Sequence, residues 1–491
     1  MCRTKNIVLR CVLAGVLIAV SAMASAIDYT LDEEGKRTSR ISDESAPVID
    51  ESIVPTRPKR LEWGSPFLGT GTIKAGHELP GGAILQPSLL IFGALRTAIQ
   101  TFKNPLGPGG EQKFAEWANR LDIFANLQLT GTERILLGMQ PLHDRDLPPT
   151  YSGVNFHPEN DVRGDEGFVD ELNANITTLF FEGDLGEIFP NVDLQDFYHL
   201  DLGISIGRQP LFFQEGFLIN DTIDAIGLIR NNLIIRGGSN LQFTLLYGWK
   251  GINRADNVER GNVDLFGLFV QADLPRSTVN VDVVYTNDSE NDDDGLHWGL
   301  SATQRIGHYN TAFHILGSHT VGTEQAALPG RPVAAVDDGV LLWSEASYVL
   351  PWTEDNVYVN VFWGINSFSS AARGPSVGGP LGRHGLSFAS IGLGRYTPAL
   401  ANQVADAYGL AMGYQKFLFG GFRKQILFEI GARDSTRSNG PAALALLSRY
   451  QQAFGQRTVL QLDAFYSHTK SNFTGLSGNG YGLRTEIQVN F

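Results

Sequence analysis

Hydrophobic and polar residues alternate through the last eleven residues of the chain, Tyr481 to Phe491. Successive side chains of a β-strand point to opposite faces. One face of this segment would therefore be apolar, from Tyr481 through Ile487 to Phe491, and the other would carry polar residues from Arg484 to Asn490. A strand with one face suited to lipid and the other to water is typical of a membrane β-barrel.

The same period of two recurs from Ala83 onward. It predicts about 18 strands of roughly 9 to 12 residues, the length that a tilted membrane strand needs. Clear examples are Arg120 to Thr130, Leu241 to Trp249, Ser277 to Tyr285, Val357 to Ile365 and Gln425 to Arg433. No segment after the first 26 residues approaches the roughly 18 uninterrupted apolar residues of a spanning helix. The prediction is an all-β fold, a transmembrane antiparallel up-and-down barrel, because only helices and closed sheets satisfy their backbone groups in hydrocarbon.

The linkers between these strands alternate in length, with Gly183 to Asp196 as the main irregularity. Tight linkers are Gly131 to Glu133, Leu274 to Arg276, Ile306 to His308, Pro351 to Asp355, Gly420 to Phe422 and Phe454 to Gln456. Long ones are Lys103 to Lys113, His143 to Glu171, Gly251 to Asn262, Asn287 to Gly295, Thr320 to Asp338, Phe368 to Ala405 and Thr469 to Asn479. Counting back from a periplasmic C-terminus places the tight turns on the periplasmic side and the long loops outside, as in bacterial outer-membrane barrels. The alternative is a large soluble β-protein such as a lectin or propeller, although no repeat of roughly 40 to 50 residues is visible.

The first 26 residues have the three parts of a secretory signal peptide. Three basic residues precede an apolar run from Cys11 to Val20, and Ala24-Ser25-Ala26 forms a small-residue cleavage site. Residues 27–80 are charged and contain prolines, which predicts a periplasmic arm, and residues 81–491 would form the barrel. This organisation predicts the bacterial outer membrane as the location. Its lipid and lipopolysaccharide, together with the barrel-assembly machinery, are the expected partners.

Composition narrows the chemistry further. Both cysteines, Cys2 and Cys11, lie in the predicted signal peptide, so the mature chain would have no disulfide and no cysteine metal site. Removal of the three basic residues of that peptide would move the formal net charge from −14 to about −17. An acidic chain without a basic patch is a poor nucleic-acid binder, and no nucleic-acid partner is expected.

Signals for catalysis are weak. Gly374 to Gly378 matches the nucleophile-elbow string, but it lies in a Pro- and Gly-rich loop and not between a strand and a helix. The acidic segment Asn287 to Asp294 could hold a hard cation, or it could be a solvated loop, since the Gly and spacing of an EF-hand are absent. We therefore expect no enzyme, with no catalytic residue, no cofactor and no metal site.

Charged residues that alternate with lipid-facing rows are candidates for the lining of a wet lumen. By parity along their strands the candidates are Arg96, Arg120, Asp122, Arg134, Asp282, Arg305, Glu429, Arg433, Asp463, Arg484 and Glu486. Both signs occur, and such a lining would create a transverse field for a polar solute. The same residues could instead brace the wall as cross-strand ion pairs, and the two interpretations are compatible.

Two predicted extracellular connections are unusually apolar, Pro210 to Asn220 and Leu386 to Leu393. Apolar segments of this kind are rarely left in water. We expect at least one of them to fold into the lumen and narrow it, with surface packing or an oligomer contact as the alternative.

A local resemblance to a known family supports a porin. Ile206 to Gln209, followed by Gln214 to Gly216 and Asn220 to Ala225, resembles the mid-barrel segment of the alginate-export family of outer-membrane porins. The resemblance implies an 18-strand barrel that passes a sugar-like or polysaccharide solute. The matching positions are Gly207, Arg208, Gln209, Asp221 and Thr222.

The arginine of this motif, Arg208, falls in a row of apolar residues. Parity places Arg208 on the lipid-facing side with Ile204 and Ile206, unless a bulge intervenes or the rim has been reached. The expected function is a porin-like channel for passive passage of hydrophilic, sugar-like or anionic solutes. A dedicated polysaccharide exporter, a non-conducting adhesive or structural barrel, and an outer-membrane enzyme are the alternatives.

Overall fold

The computed structural model describes residues 60–64, 76–107, 110–145, 150–159, 166–192, 201–291, 293–321, 334–351, 353–382, 385–418, 421–437, 440–471 and 477–491. The predicted signal peptide and most of the predicted arm lie outside these residues. Within these described ranges, the helical elements are one turn of α-helix at Leu185–Ile188, in the predicted irregular linker, and a 3-10 turn at Gln214–Gly216.

The remaining elements are strands. They are β1 (Leu61–Gly64), β2 (His77–Glu78), β3 (Ile84–Leu85), β4 (Ser88–Gly107), β5 (Gly110–Gln128), β6 (Arg134–Met139), β7 (His143–Asp144), β8 (Thr150–Tyr151), β9 (Gly153–Glu159), β10 (Gly167–Val169), β11 (Ile176–Asp184), β12 (Gly203–Phe213), β13 (Ile219–Leu233), β14 (Asn240–Lys250), β15 (Val263–Asp273), β16 (Ser277–Asp288), β17 (Gly295–Ile306), β18 (Tyr309–Thr320), β19 (Gly339–Val349), β20 (Asn356–Phe368), β21 (Ala372–Arg373), β22 (Val404–Ala405), β23 (Ala407–Phe417), β24 (Lys424–Ser435), β25 (Pro441–Phe454), β26 (Thr458–Ser471) and β27 (Ser477–Asn490).

Eighteen antiparallel strands close into a barrel. β6 and β9 form one interrupted strand because both pair with β5, and β10 with β11 form the next. The circuit continues through β12 to β20 and β23 to β27. β27 then pairs with β4, from Tyr481 opposite Lys103 to Asn490 opposite Ala94. The predicted all-β barrel and its strand number are confirmed.

The outer face of the barrel is apolar and exposed. Ile99, Leu446 and Ile487 on the outer face are 63%, 52% and 42% exposed. Gln100, next to Ile99, and Glu486, next to Ile487, point to the inner face and are 3% and 4% exposed. A continuous ring of exposed large apolar side chains is the surface that a barrel presents to lipid. The described residues contain no helix that is long and apolar enough to cross a membrane.

One predicted long loop is wrong. The segment from Lys103 to Lys113 was expected to be an extracellular loop, but β4 and β5 stay paired as far as Gly107 and Gly110. The cross-strand pairs of the barrel simply continue beyond the lipid-facing rows, so this connection is a tall hairpin. The tight turn at Leu274 to Arg276 lies between β15 and β16 as predicted.

The first and last barrel strands meet with an overhang. Gly93 N donates to Phe491 O at 3.1 Å and Phe491 N donates to Gly93 O at 3.0 Å. β4 begins before this pair, and β1 covers its free edge by pairing with Ser88 to Ile91. A short part of the predicted arm therefore belongs to the sheet, where it covers an edge that could otherwise pair with another chain.

Candidate functional site: a constriction in the lumen

The tip between β12 and β13 folds into the barrel. The ring of Phe213 stacks on that of Phe269 in β15, with centroids 3.5 Å apart. Gln214 Nε2 donates to Asp282 Oδ2 in β16 at 2.8 Å. The ring of Phe217, which is fully buried, lies 5.3 Å from that of Trp343 in β19. The tip therefore packs against the inner wall of several strands that are distant from it along the chain.

The backbone of this tip reverses within three residues. Gln214, Glu215 and Gly216 have φ values of 51°, 53° and 84°. A non-glycine residue in the left-handed region costs free energy that its surroundings must offset. Here the buried aromatic contacts and the Gln214 hydrogen bond stabilise the reversal.

A long connection between β20 and β23 also folds inward, and its first part packs on the tip. Ala372 and Arg373 form β21, which runs parallel to Ile219 and Asn220. Arg373 is 1% exposed, and its Nη1 donates to the carbonyl of Gly216 at 2.6 Å. The two inward segments thus share a short parallel bridge and a buried arginine.

The second part of the connection is fixed to β24. Glu429 accepts hydrogen bonds from Leu386 N at 2.8 Å and from Ser387 N at 2.6 Å. Its carboxylate also accepts from the hydroxyls of Ser387 and Tyr358. One buried carboxylate therefore holds the start of the predicted apolar segment Leu386 to Leu393.

The same segment also contacts the inner face of β4 and β5. Arg96 Nη2 donates to Ile391 O at 3.0 Å, Arg120 Nη1 to Gly392 O at 3.1 Å, and Gln100 Nε2 to Leu393 O at 3.2 Å. In a separate contact, Arg433 in β24 donates to the carbonyls of Ala401 and Gln403. The expectation that at least one apolar connection folds inward is met by both.

A third inward element interrupts the strand made by β6 and β9. Here β7 and β8 form a small hairpin in which the rings of His143 and Tyr151 stack, with centroids 4.3 Å apart. Burial lowers the pKa of His143 to about 3. Arg145 follows directly; burial lowers its pKa, while the nearby carboxylate of Asp221 acts in the opposite direction.

These inward elements leave a cavity of about 630 Å³ between them and the barrel wall. Three arginines line it, Arg96, Arg120 and Arg145. Neutral polar and apolar groups complete the lining, among them Asn220, Thr222, Ser376, Ser390, Phe124 and Val377. The cavity offers guanidinium and hydroxyl donors beside an aromatic ring, which suits a small polar solute with a negative group.

A connected ion network runs along the wall beside this cavity. Arg449 Nε and Arg484 Nη1 lie 2.6 Å and 2.7 Å from the oxygens of Asp463. Arg484 also pairs with Glu486, which Arg96 Nε contacts at 2.7 Å. Next to it, Arg120 Nη2 lies 3.1 Å from Asp122. The network itself contains four arginines and three carboxylates, and Arg145 of the inward hairpin faces the same cavity.

Three of the charged residues selected by parity lie away from this network. Arg134 pairs with Glu182 at 2.5 Å. Arg305 is exposed beside the tight turn between β17 and β18. Asp282 is 4% exposed because the tip covers it, so it does not face the open cavity. The other eight lie in the ion network or hold the inward connection; they are Arg96, Arg120, Asp122, Glu429, Arg433, Asp463, Arg484 and Glu486.

Three residues of the motif that resembles the alginate-export family, Gly207, Gln209 and Asp221, are held by contacts within the barrel. Gly207 has φ 124°, and a Cβ there would lie 2.3 Å from the carbonyl oxygen of Leu179, so only glycine fits. Gln209 is 5% exposed and donates to Ala225 O at 3.1 Å. Asp221 accepts from Asn253 N at 2.8 Å.

The other two motif residues, Arg208 and Thr222, lie in different places. Arg208 keeps the parity of Ile206, which is 44% exposed, and an oxygen of Asp224, its partner across β13, is 3.7 Å from its Nη1. Asp224 therefore balances the charge of Arg208 on the outward face of β12, which is where parity along the strand placed this arginine. Thr222 lines the cavity. The sequence pattern did not point to Arg145, Ser376 or Ser390, because loops have no period from which to infer direction.

Together, the closed sheet, the apolar outer belt and the inward loops define a membrane β-barrel with the fold of a porin. No protein-family model and no curated protein matches the sequence. Solved structures do match. Pseudomonas aeruginosa OccK1 (OpdK) has 11% identity and a TM-score of 0.51, over 82% of this chain and 98% of that chain.

Two further structures show the same similarity. OpdK from Pseudomonas aeruginosa solved with vanillate gives 11% identity and a TM-score of 0.51, over 82% of this chain and 98% of that one. Acinetobacter baumannii OccAB3 gives 10% identity and a TM-score of 0.50, over 82% of this chain and 99% of that one. At these identities the similarity shows the fold, an 18-strand porin barrel.

Proposed function

We propose that this protein is a passive channel of the bacterial outer membrane for small hydrophilic solutes that carry a negative group. The supporting observation is the cavity between the inward loops, where Arg96, Arg120 and Arg145 meet hydroxyl and amide groups. A guanidinium binds a carboxylate with two parallel hydrogen bonds, which gives direction as well as attraction. The channel needs no covalent chemistry for this passage.

The size of the cavity favours small solutes. About 630 Å³ remains where the three inward elements meet, and the ring of Phe124 lies on its wall. Vanillate, with which OpdK was crystallised, is a small aromatic carboxylate. A carboxylate with a compact apolar body would match both the arginines and the ring.

An anionic sugar is the second candidate, because Gly207 to Gln209 and Asp221-Thr222 resemble the alginate-export motif. A monomeric uronate would fit the cavity as described above. Export of a whole polysaccharide would require the inward connection to leave Glu429 on β24 and Arg96 on β4, since those contacts hold it inside the barrel. Small solutes therefore remain the preferred cargo.

Planar-bilayer recording of the refolded mature chain tests the proposal. We expect discrete open steps and a reversal potential in a KCl gradient that shows anion preference. Arg145→Gln should reduce that preference, whereas Arg305→Gln, which removes one exposed charge beside a tight turn, should leave it nearly unchanged. Small carboxylates should reduce the chloride current more than neutral sugars of similar size.

Two results would contradict the proposal. Silence across many verified insertions would refute a channel and favour an adhesive or structural barrel. Equal effects of Arg145→Gln and Arg305→Gln would show that the cavity does not set the charge preference.

A further inference from the structure

We propose that the barrel wall has a lateral opening between β11 and β12, through which single-chain amphiphilic anions pass between the outer leaflet and the cavity. This inference rests on the proposed function, because the cavity must accept an anion. It adds a second way in, from the membrane, and it extends the solutes from hydrophilic anions to anions that carry an alkyl chain.

The pairing of β11 with β12 is too short to cross the apolar layer. It runs for six residues, from Asp184 opposite Gly203 to Leu179 opposite Arg208, whereas β15 and β16 pair over eleven. Six residues of a strand tilted by about 45° rise roughly 14 Å, against an apolar band of about 25 Å. The seam therefore closes the wall over little more than half of that band.

Beyond Arg208, β12 leaves the wall. From Gln209 to Phe213 it pairs with β13, and the two strands bend into the lumen as the tip described above. Within the described residues, the other edge of this part of β12 has no strand beside it. Pro210 lies there, and a proline, which lacks an N–H group, is usual at a free edge.

On the other side of the gap, β11 ends its pairing with β12 just below a bulge. Thr177 is the extra residue of this bulge, and residues 170–175, which precede β11, belong to no strand. Asn173 in their middle bonds to the inward hairpin, where its N donates to Pro141 O at 2.9 Å and its Nδ2 to His143 O at 3.2 Å. Two strand edges therefore face each other across a gap. At membrane depth, irregular backbone of this kind occurs only beside protein or a water-filled cavity.

The cavity lies directly behind the gap. Thr177 and Thr178 line it from β11, and Pro210 lines it from β12. The cavity therefore reaches both edges. A solute that passes between them enters the space that Arg145 lines.

The outer surface beside the gap is apolar. Leu179 and Ile176 of β11 are 44% and 50% exposed. Phe168 of β10, which is 73% exposed, pairs with Val154, the partner of Trp117 on the outer face of β5. Apolar groups thus continue past the last pair of β11 with β12, and the opening faces lipid.

These surroundings favour an amphiphile with one negative group. An alkyl chain fits among the apolar side chains at the edge, and the guanidinium groups of Arg208 and Arg145 offer hydrogen bonds to a negative head group. Each has a carboxylate nearby, Asp224 for Arg208 and Asp221 for Arg145, so the attraction comes from directed donors and not from a surplus of charge. A solute without an apolar chain gains nothing from this route.

Fluorescence quenching tests whether the gap meets lipid. The predicted mature chain has no cysteine, so Thr177→Cys and Phe124→Cys can each carry one fluorescent label in proteoliposomes. Both residues line the cavity, but Phe124 lies behind unbroken pairing with Phe92 and Gly138. We expect lipids brominated on their acyl chains to quench the label on Thr177→Cys and not the label on Phe124→Cys, while aqueous iodide quenches both.

The permeability to octanesulfonate, a single-chain anion that keeps its charge, tests the route itself. Its ratio to the chloride permeability is obtained from reversal potentials in planar bilayers. Ile176→Trp/Leu179→Trp crowds the edge of the gap and should lower this ratio several-fold, whereas the ratio for methanesulfonate should stay unchanged. The matched control Leu444→Trp/Leu446→Trp, at residues that are 51% and 52% exposed on the lipid face of β25, should behave like the wild type.

Two results would overturn the proposal: quenching of the Thr177→Cys label by iodide alone, or equal octanesulfonate ratios for the two double variants. The chloride conductance and anion preference of the wild type judge the proposed function separately. An anion-selective channel that shows neither lipid quenching nor an effect of Ile176→Trp/Leu179→Trp refutes the lateral route alone. Lipid quenching in a chain that conducts no ions refutes the channel alone.

Discussion

The contact between Glu429 and the inward connection is the point where the pore should be easiest to open by a small change. Each carboxylate oxygen of Glu429 serves a different backbone donor: Oε2 accepts from Leu386 N at 2.8 Å and Oε1 from Ser387 N at 2.6 Å. In Glu429→Gln only one oxygen remains, so one of these N–H groups must face an NH₂ group. The substitution changes a few atoms and keeps the side-chain volume.

The size of the effect follows from those two bonds. Losing a charge-assisted hydrogen bond and leaving a buried donor without its acceptor costs about 2–4 kcal/mol. Since each 1.4 kcal/mol is a factor of ten, the ratio of undocked to docked connection should rise by roughly 30- to 1000-fold. The contacts of Arg96, Arg120 and Gln100 with residues 391–393 remain, so the far end should stay attached.

Single-channel recording of Glu429→Gln should show larger or more frequent open sublevels than the wild type. The control is Glu182→Gln, which also removes one negative charge but whose carboxylate pairs with Arg134 and not with the inward connection. Deletion of Leu386 to Leu393 should raise the conductance further. Traces of Glu429→Gln that match those of Glu182→Gln would refute the anchoring role of this carboxylate.

Three further changes test other parts of the structure. Gly207→Val should destabilise the barrel by an amount on the order of 1–3 kcal/mol or more, because a Cβ would lie 2.3 Å from Leu179 O. The measurement is the urea midpoint of unfolding, which should fall. Gly131→Val is the control, since open space surrounds that position and the midpoint should not change. Leu446→Arg on the lipid face should cost about 2–4 kcal/mol in refolding into bilayers if it lies near the midplane. The pKa of His143 is about 3 in the docked hairpin, against 6.5 for an exposed histidine. Between pH 6.5 and about 3, the imidazole of an undocked hairpin is therefore protonated, whereas that of the docked hairpin stays neutral. Docking should weaken as the pH falls through that window, current noise should increase, and His143→Asn should abolish this pH response.

The strands were predictable because a closed membrane sheet imposes one rule at every position. Ile487 must face lipid and Glu486 water, and the sequence therefore alternates. The extent of a strand was less predictable: the polar residues after Lys103 suggested a loop, yet β4 and β5 remain paired to Gly107 and Gly110. Beyond the lipid the alternation is no longer required, although the cross-strand hydrogen bonds persist.

The inward folding was predictable only in outline. The apolar character of Leu386 to Leu393 indicated burial, but nothing local identified Glu429 as its anchor, because that contact joins Ser387 in the connection to a residue of β24 that is 42 positions away. Arg145 lies in a loop between two parts of an interrupted strand, where parity gives no direction. Such contacts depend on which loops fill the lumen together, which is a property of the whole barrel.

The charge of the lumen shows what parity along the strands left out when it predicted a mixed lining. The acidic residues among the candidates are present, but their oxygens are occupied: Asp463 and Glu486 lie between arginines, and Asp122 accepts from Arg120 and Gln140. The carboxylate of Glu429 accepts hydrogen bonds from backbone N–H groups. A solute in the cavity would therefore meet guanidinium groups whose partners are already shared, along with the hydroxyls beside them. A lining that carries both signs in the sequence need not repel an anion, because arginines, Gln140 and backbone N–H groups already occupy the carboxylate oxygens.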